Sequence, residues 1–231
     1  MPTRHGHGRL PSADPRNENF PAANALKLAG PSSRALAAAM KVTLDLRWHG
    51  DQGDSSSCVG YTGHAMLSTA PRRIGKSKLA PKMIYQGAQL YDEWPGEGYD
   101  GTSILGLLKF LVDYQPAKDV QSYYWVRKVE EISQWFRTPH RTAVPIGTNW
   151  YTSMYRTSKE GIVQVKGVLS GGHAYTCIGD DLKRGLYLFQ NSWELSWSPL
   201  PRCRFWLSAE NFQRLLDEDG EAALVTKFPR S

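Results

Sequence analysis

The apolar residues change period once along the chain, and that switch limits the possible folds more than any other feature. Up to about residue 136 the pattern is helical. Ile104, Leu107, Leu108 and Leu111 follow i, i+3, i+4, i+7 spacing, which lays one apolar stripe along a helix. Thr102 or Ser103 can cap its start, and Pro116 lies just past its end. Further helices are predicted from Cys58 toward Ser68, from about Pro81 to Tyr91, and over Val129–Phe136. Pro81 is tolerated in a first turn. Gly60 and Gly63 weigh against the first of these by about 1 kcal/mol each. Beyond residue 136, runs of β-formers predict strands at 143–148, 161–168, 174–179, 185–190 and 202–207. Ser208 can cap a short helix holding Phe212, Leu215 and Leu216, and 222–227 reads as a last strand. Helices followed by strands, in blocks, predict an α+β fold.

Residues 1–41 read as an N-terminal arm, extended apart from a short helix near 33–41. Residues 42–231 then form one domain, with a mainly helical lobe over about 42–120 and a mainly β lobe over about 121–231. The chain carries 28 Lys and Arg against 22 Asp and Glu, a net charge of +6. Seven of the basic and three of the acidic residues fall in the first 50, so the excess belongs to the arm. No nucleic-acid-binding module accompanies it, and a solvated arm is the expectation. No segment has the length and apolarity of a membrane span or an apolar signal core. A cytoplasmic or phage-particle location is expected. Three widely spaced cysteines, Cys58, Cys177 and Cys203, fit neither a disulfide framework nor a CxxC zinc site. No metal or organic cofactor is implied, and Cys177 and Cys203 are expected to be core thiols on strands.

Cys58 follows a turn-forming loop, Asp51-Gln52-Gly53-Asp54-Ser55-Ser56-Ser57, at a predicted helix start. A helix N-terminus and a histidine partner both lower a thiol pKa, so Cys58 is a candidate nucleophile, against the plainer reading of a buried structural thiol. Gln52 lies six residues earlier, close enough to fold its amide back toward the thiol. With the Cys58 N–H it could stabilise an oxyanion. His173 follows Gly171-Gly172 at the head of the apolar run Ala174–Gly179, where small neighbours leave room for a substrate. Asn191 follows the run Leu186–Gln190. Its amide oxygen could fix the histidine ring, and Trp193 could shield that bond from water.

Taken together, Gln52-Gly53 through Cys58, Gly172-His173-Ala174, and Asn191-Ser192-Trp193 with Trp197 resemble the papain-like cysteine peptidases over roughly residues 45–225. The order Gln, Cys, His, Asn and the six-residue Gln–Cys step match. Cys58 to Asn191 spans 133 positions, inside the range of about 130–150 for such enzymes, and His173, at 115, comes early. The texture is closest to compact bacterial and phage members. The resemblance implies a two-lobed fold, with cysteine on a helical lobe, histidine and asparagine on a β lobe, and a polypeptide substrate between them. It implies Cys58 as nucleophile, His173 as base, Asn191 as its orienting partner and Gln52 in the oxyanion hole. Gly98–Ser103 looks like the family's substrate-backbone region, so Gly101, Gly172 and Trp193 are the expected substrate contacts. Several positions depart from the pattern. Val59 replaces an aromatic, Ser55 a disulfide cysteine, and Glu194 and Ser198 stand where glycines are usual. The arm is short for the family's inhibitory propeptide and could partly cover the cleft. Two other functions fit the same residues: a binding or assembly protein on this scaffold, within a phage particle for example, and a cell-wall amidase or peptidase. Keeping all four catalytic positions argues against the first, and the lack of a wall-binding repeat argues against the second.

Overall fold

A computed structural model describes residues 6–12, 14–30, 32–70, 79–94, 98–114 and 120–226. The expected residues Pro116 and Lys227, and part of the loop over 95–101, lie outside them. Helices α1 (Ala22–Leu28) and α2 (Arg34–Ala37) and the short strand β1 (Lys41–Thr43) precede α3 (Cys58–Ser68), α4 (Pro81–Gln89) and α5 (Ile104–Asp113). The second half runs β2 (Ser122–Trp125), α6 (Val129–Phe136), β3 (Val144–Tyr151), β4 (Leu169–Asp181), β5 (Leu186–Gln190), β6 (Arg204–Ser208), α7 (Ala209–Asp217) and β7 (Glu221–Thr226). No described helix is long and apolar enough to cross a membrane.

The helix starts follow local chemistry. Ser103 accepts the Gly106 N–H at 2.9 Å and caps α5, and Ser208 accepts the Asn211 N–H at 3.2 Å to cap α7. Helices α3, α4 and α5 pack on one another, and α3 rests on β4. Its glycines are needed for that approach. A Cβ on Gly60 would lie 2.2 Å from the Pro81 carbonyl oxygen, and one on Gly63 would lie 2.6 Å from Leu107 Cδ1. The helix-propensity cost of these glycines is offset by interhelical packing that no larger residue permits.

The strands form an antiparallel sheet in the order β2-β7-β3-β4-β5-β6, with β1 added beside the end of β4. The α+β architecture is as predicted. The segment 161–168 is not a strand. It makes isolated bridges only, at Val163 to Thr157 and at Ile162 to Trp206. Gly161 and Gly167 adopt positive φ, 74° and 88°, and the Ser153 hydroxyl takes the Gln164 and Lys166 carbonyls. The β-branched run is therefore folded over a side chain instead of a partner strand. The N-terminal residues are also more structured than expected. Helix α1 buries Ala22 and Ala25 and packs on α6, β2 and β7.

One buried ion pair ties this N-terminal region to the sheet. Arg137, after α6, reaches Asp180 on β4 with Nη1–Oδ2 at 2.6 Å and Nη2–Oδ1 at 3.0 Å. Its Nε donates to the Ala39 carbonyl, and Asp180 accepts the Val42 N–H. Removing one member leaves a buried charge without its counterion. Asp180→Ala should cost about 3 kcal/mol in urea unfolding, and pairing it with Arg137→Met should recover much of that loss.

Candidate active site

Cys58 is the first residue of α3 and is fully buried. Backbone N–H groups of Ala174, Gly8 and Val59 lie close enough to its sulfur to favour the thiolate. The Ala174 contact brings the helix start to the strand that carries His173. On that strand His173 is buried, and its Nε2 lies 2.8 Å from Asn191 Oδ1. The same oxygen accepts the Ser192 N–H at 2.8 Å, which fixes the amide with its oxygen toward the ring. An oxygen can only accept, so Nε2 carries the proton, and Nδ1 is the basic nitrogen of the neutral ring.

Aromatic side chains enclose the imidazole. Trp193 stacks on it at 4.7 Å between centroids with planes 29° apart, and Trp150 meets it at 4.9 Å and 73°. Trp197 packs edge-on against Trp193 at 5.1 Å. Trp150 sits on β3, and nothing in its local sequence marks it as a site residue. Gln52 is held in place from the Asn191 side. Its Oε1 accepts the Ser192 hydroxyl at 2.6 Å, and its backbone N–H donates to the Ser192 carbonyl at 2.9 Å. Cys58, His173, Asn191 and Gln52 thus converge on one site. His64 is instead buried within α3, with Nδ1 2.8 Å from the Leu79 carbonyl, and His49 Nε2 lies 2.9 Å from the Trp193 carbonyl. Among the described residues no cluster of His, Cys, Asp or Glu is arranged to hold a metal.

The N-terminal residues lie across this site. The Gly8 and Arg9 N–H groups donate to the Gly172 carbonyl at 3.2 and 3.1 Å. The Thr102 N–H donates to the Gly8 carbonyl at 2.8 Å, and the Leu10 N–H to the Thr102 carbonyl at 2.9 Å. Arg9 thereby pairs with Thr102 in the parallel sense. The Gln52 amide donates to the Gly6 carbonyl at 3.1 Å, and the His7 ring stands edge-on to His173 at 5.7 Å. Two of the expected substrate contacts, Gly101 and Gly172, face this segment. A Cβ on Gly101 would lie 2.6 Å from the Gly8 carbonyl oxygen, and one on Gly172 would lie 2.1 Å from that of Arg9. The expectation of a solvated arm is thus overturned for residues 6–10. The segment Gly6-His7-Gly8-Arg9 has only its two glycines as a local sign of close fit.

Burial also reverses the expectation for the thiol. Cys58 was expected to be acidified by the helix start and by its histidine. Desolvation by burial instead pushes it up to about 11, although the Ala174, Gly8 and Val59 N–H groups and the charge of Arg9 oppose this. The covered state therefore holds a thiol, not a thiolate.

No protein-family model matches the sequence, and no curated protein matches it significantly. Solved structures do match. Xylellain, a cysteine protease from Xylella fastidiosa, is similar over 98% of this chain and 97% of its own, with a TM-score of 0.67 and 18% identity. Procathepsin B S9 from Trypanosoma congolense covers 94% of this chain and 86% of its own, with a TM-score of 0.61 and 11% identity. The bromelain protease from Ananas comosus covers 82% and 99%, with a TM-score of 0.52 and 12% identity. The chain has the papain-like two-lobed fold.

A valine at position 8 cannot keep the covering segment seated, because a Cβ there would lie 1.7 Å from the Ser56 carbonyl oxygen. In the native chain, iodoacetamide labelling of Cys58 should rise about tenfold per pH unit from pH 7 to 10, since the raised pKa leaves thiolate scarce below it. In Gly8→Val, labelling at pH 5.5 should become fast, as expected of an uncovered thiolate paired with histidine. Peptide mapping of the labelled protein reads both outcomes.

Proposed function

We propose that the chain is a cysteine peptidase held in a self-covered state by residues 6–10. One arrangement carries this reading: Cys58, buried at the start of α3, packs against the strand that carries His173, and Asn191 fixes that ring through Nε2. A binding protein has no need to fix a buried imidazole on the strand that packs against a buried thiol.

Once the cleft opens, Nδ1 of His173 takes the Cys58 proton and the thiolate attacks a peptide carbonyl carbon. The Gln52 amide, now donating to the Gly6 carbonyl, and the Cys58 N–H stabilise the oxyanion. The imidazolium returns its proton to the leaving amine, and water then hydrolyses the thioester with His173 again as base. Asn191 keeps the ring in one tautomer and Trp193 keeps water from that bond. In the covered state the Gly8 N–H is held by the Gly172 carbonyl, and the Gly8 carbonyl accepts the Thr102 N–H. A segment lying this way is held without being cut.

The covered, protonated thiol also supports a second function, a binding or assembly protein that keeps the scaffold without turnover. The two differ in a direct assay. Full-length Gly8→Val should hydrolyse unstructured fluorogenic peptides faster than the native chain. Adding Cys58→Ala should abolish the activity, and adding His173→Ala should lower kcat by about 10²–10⁴-fold. No turnover in Gly8→Val would leave the binding protein, and turnover that survives Cys58→Ala would overturn Cys58 as the nucleophile.

A further inference from the structure

Gly101, an expected substrate contact, has both of its backbone groups taken up by helix α4. Its N–H donates to the Tyr85 hydroxyl at 2.8 Å, and its carbonyl accepts the Gln89 amide N–H at 3.1 Å. Tyr85 and Gln89 stand four residues apart on α4 and so share one face. Gln89 Nε2 also reaches the Tyr85 hydroxyl at 3.1 Å and the Tyr99 carbonyl at 3.3 Å. A carbonyl oxygen only accepts, which fixes the end of the amide that faces the loop. The next residue, Thr102, keeps its backbone for the cleft, where its N–H and carbonyl hold Gly8 and Leu10. Its side chain is tied on the other side. Thr102 is fully buried, and its hydroxyl donates to Asp92 Oδ2 at 2.6 Å. Asp92 Oδ1 accepts the Tyr99 hydroxyl at 2.5 Å and the Trp94 N–H at 3.2 Å. The end of α4 and the residues just after it thus grip the loop at Tyr99, Gly101 and Thr102.

We propose that Asp92, supported by Tyr85 and Gln89, is a positioning residue for substrate binding, which acts through the Thr102 hydroxyl to aim the Thr102 backbone at an extended chain in the cleft. This rests on the cleft being a peptide-binding site. The loop needs such a hold. Gly101 takes a φ of 105°, which glycine adopts with little strain, so the backbone there has no stiffness of its own. Hydrogen bonds from hydroxyls to a carboxylate are roughly twice as strong as neutral ones, and Asp92 makes two of them. Tyr85 also ties the loop to the helix that carries the thiol. A Cβ on Gly60, two residues after Cys58, would lie 2.8 Å from Tyr85 Cβ. The catalytic helix and the clamp are therefore packed as one body, and Thr102 is held in register with Cys58. A bound chain is then placed against the thiol by main-chain contacts, where small misplacements cost rate and affinity.

The test compares full-length Gly8→Val, in which the cleft is uncovered, with the same chain carrying Asp92→Ala, Thr102→Val or Thr102→Ser. Unstructured fluorogenic peptides give KM and kcat. Asp92→Ala and Thr102→Val should each raise KM on the order of tenfold, as for the loss of one buried hydrogen bond to a charged group, with a much smaller fall in kcat. Thr102→Ser keeps the hydroxyl and should restore most of what Thr102→Val loses. Asp92→Ala and Thr102→Val together should raise KM little beyond either alone, because both remove the same bond. If Asp92→Ala folds poorly, the two Thr102 variants decide the matter. A KM indifferent to these changes, a fall in kcat as large as the rise in KM, or a Thr102→Ser chain as weak as Thr102→Val overturns the positioning role. The peptidase is tested separately by adding Cys58→Ala to each chain and measuring the Kd of labelled peptides by fluorescence anisotropy. A Kd that rises with Asp92→Ala, in a chain whose Cys58-intact form has no turnover, keeps the positioning role and removes the peptidase. Turnover with a KM indifferent to Asp92 and Thr102 does the reverse, and a chain that neither binds nor cuts peptides overturns both.

Discussion

Helix α3 packs on strand β4, with Cys58 at the helix start near Ala174, and the other parts of the site are arranged round that contact. It joins a helical lobe to a sheet and brings a thiol to the strand that carries an imidazole 115 residues away in sequence. The contact requires close approach on both sides. Gly60 and Gly63 let α4 and α5 press on α3, and the pairing of β4 with both β3 and β5 holds the strand in position. Asn191, just after β5, completes the arrangement by fixing the ring.

The covering segment sets the electrostatics. It carries a guanidinium into the interior, where a carboxylate partner makes the burial tolerable. Glu221 supplies that carboxylate from β7, with Arg9 at 3.0 Å. The same few residues therefore lie near Cys58 and carry a charge that Glu221 balances. The segment stays seated through backbone hydrogen bonds to Gly172 and Thr102 and through the fit of Gly8 against Ser56. Such a seal is local, and a single added methyl group can break it.

Much of the scaffold was legible because it rests on local rules. The apolar stripe of α5 and the caps at Ser103 and Ser208 follow from periodicity and capping. The run at 161–168 misled because β-propensity says nothing about whether a partner strand is present, and Gly161 and Gly167 turn the backbone away. Helix α1 was missed because its apolar residues are mostly alanines, a weak signal until β2, α6 and β7 provide a surface for them.

The sequence by itself determined the fold class and the candidate nucleophile, base, orienting amide and oxyanion donor, because their types and order carry a chemistry that few arrangements share. Tertiary structure alone decided that residues 6–10 cross the site, that Trp150 walls the imidazole, and that Arg9 meets Glu221 212 positions away. Glycine, arginine and glutamate at distant positions have no period and no local preference that would pair them. Their partnership is set by strand register and by the energy of burying charge, and both exist only once the chain has folded.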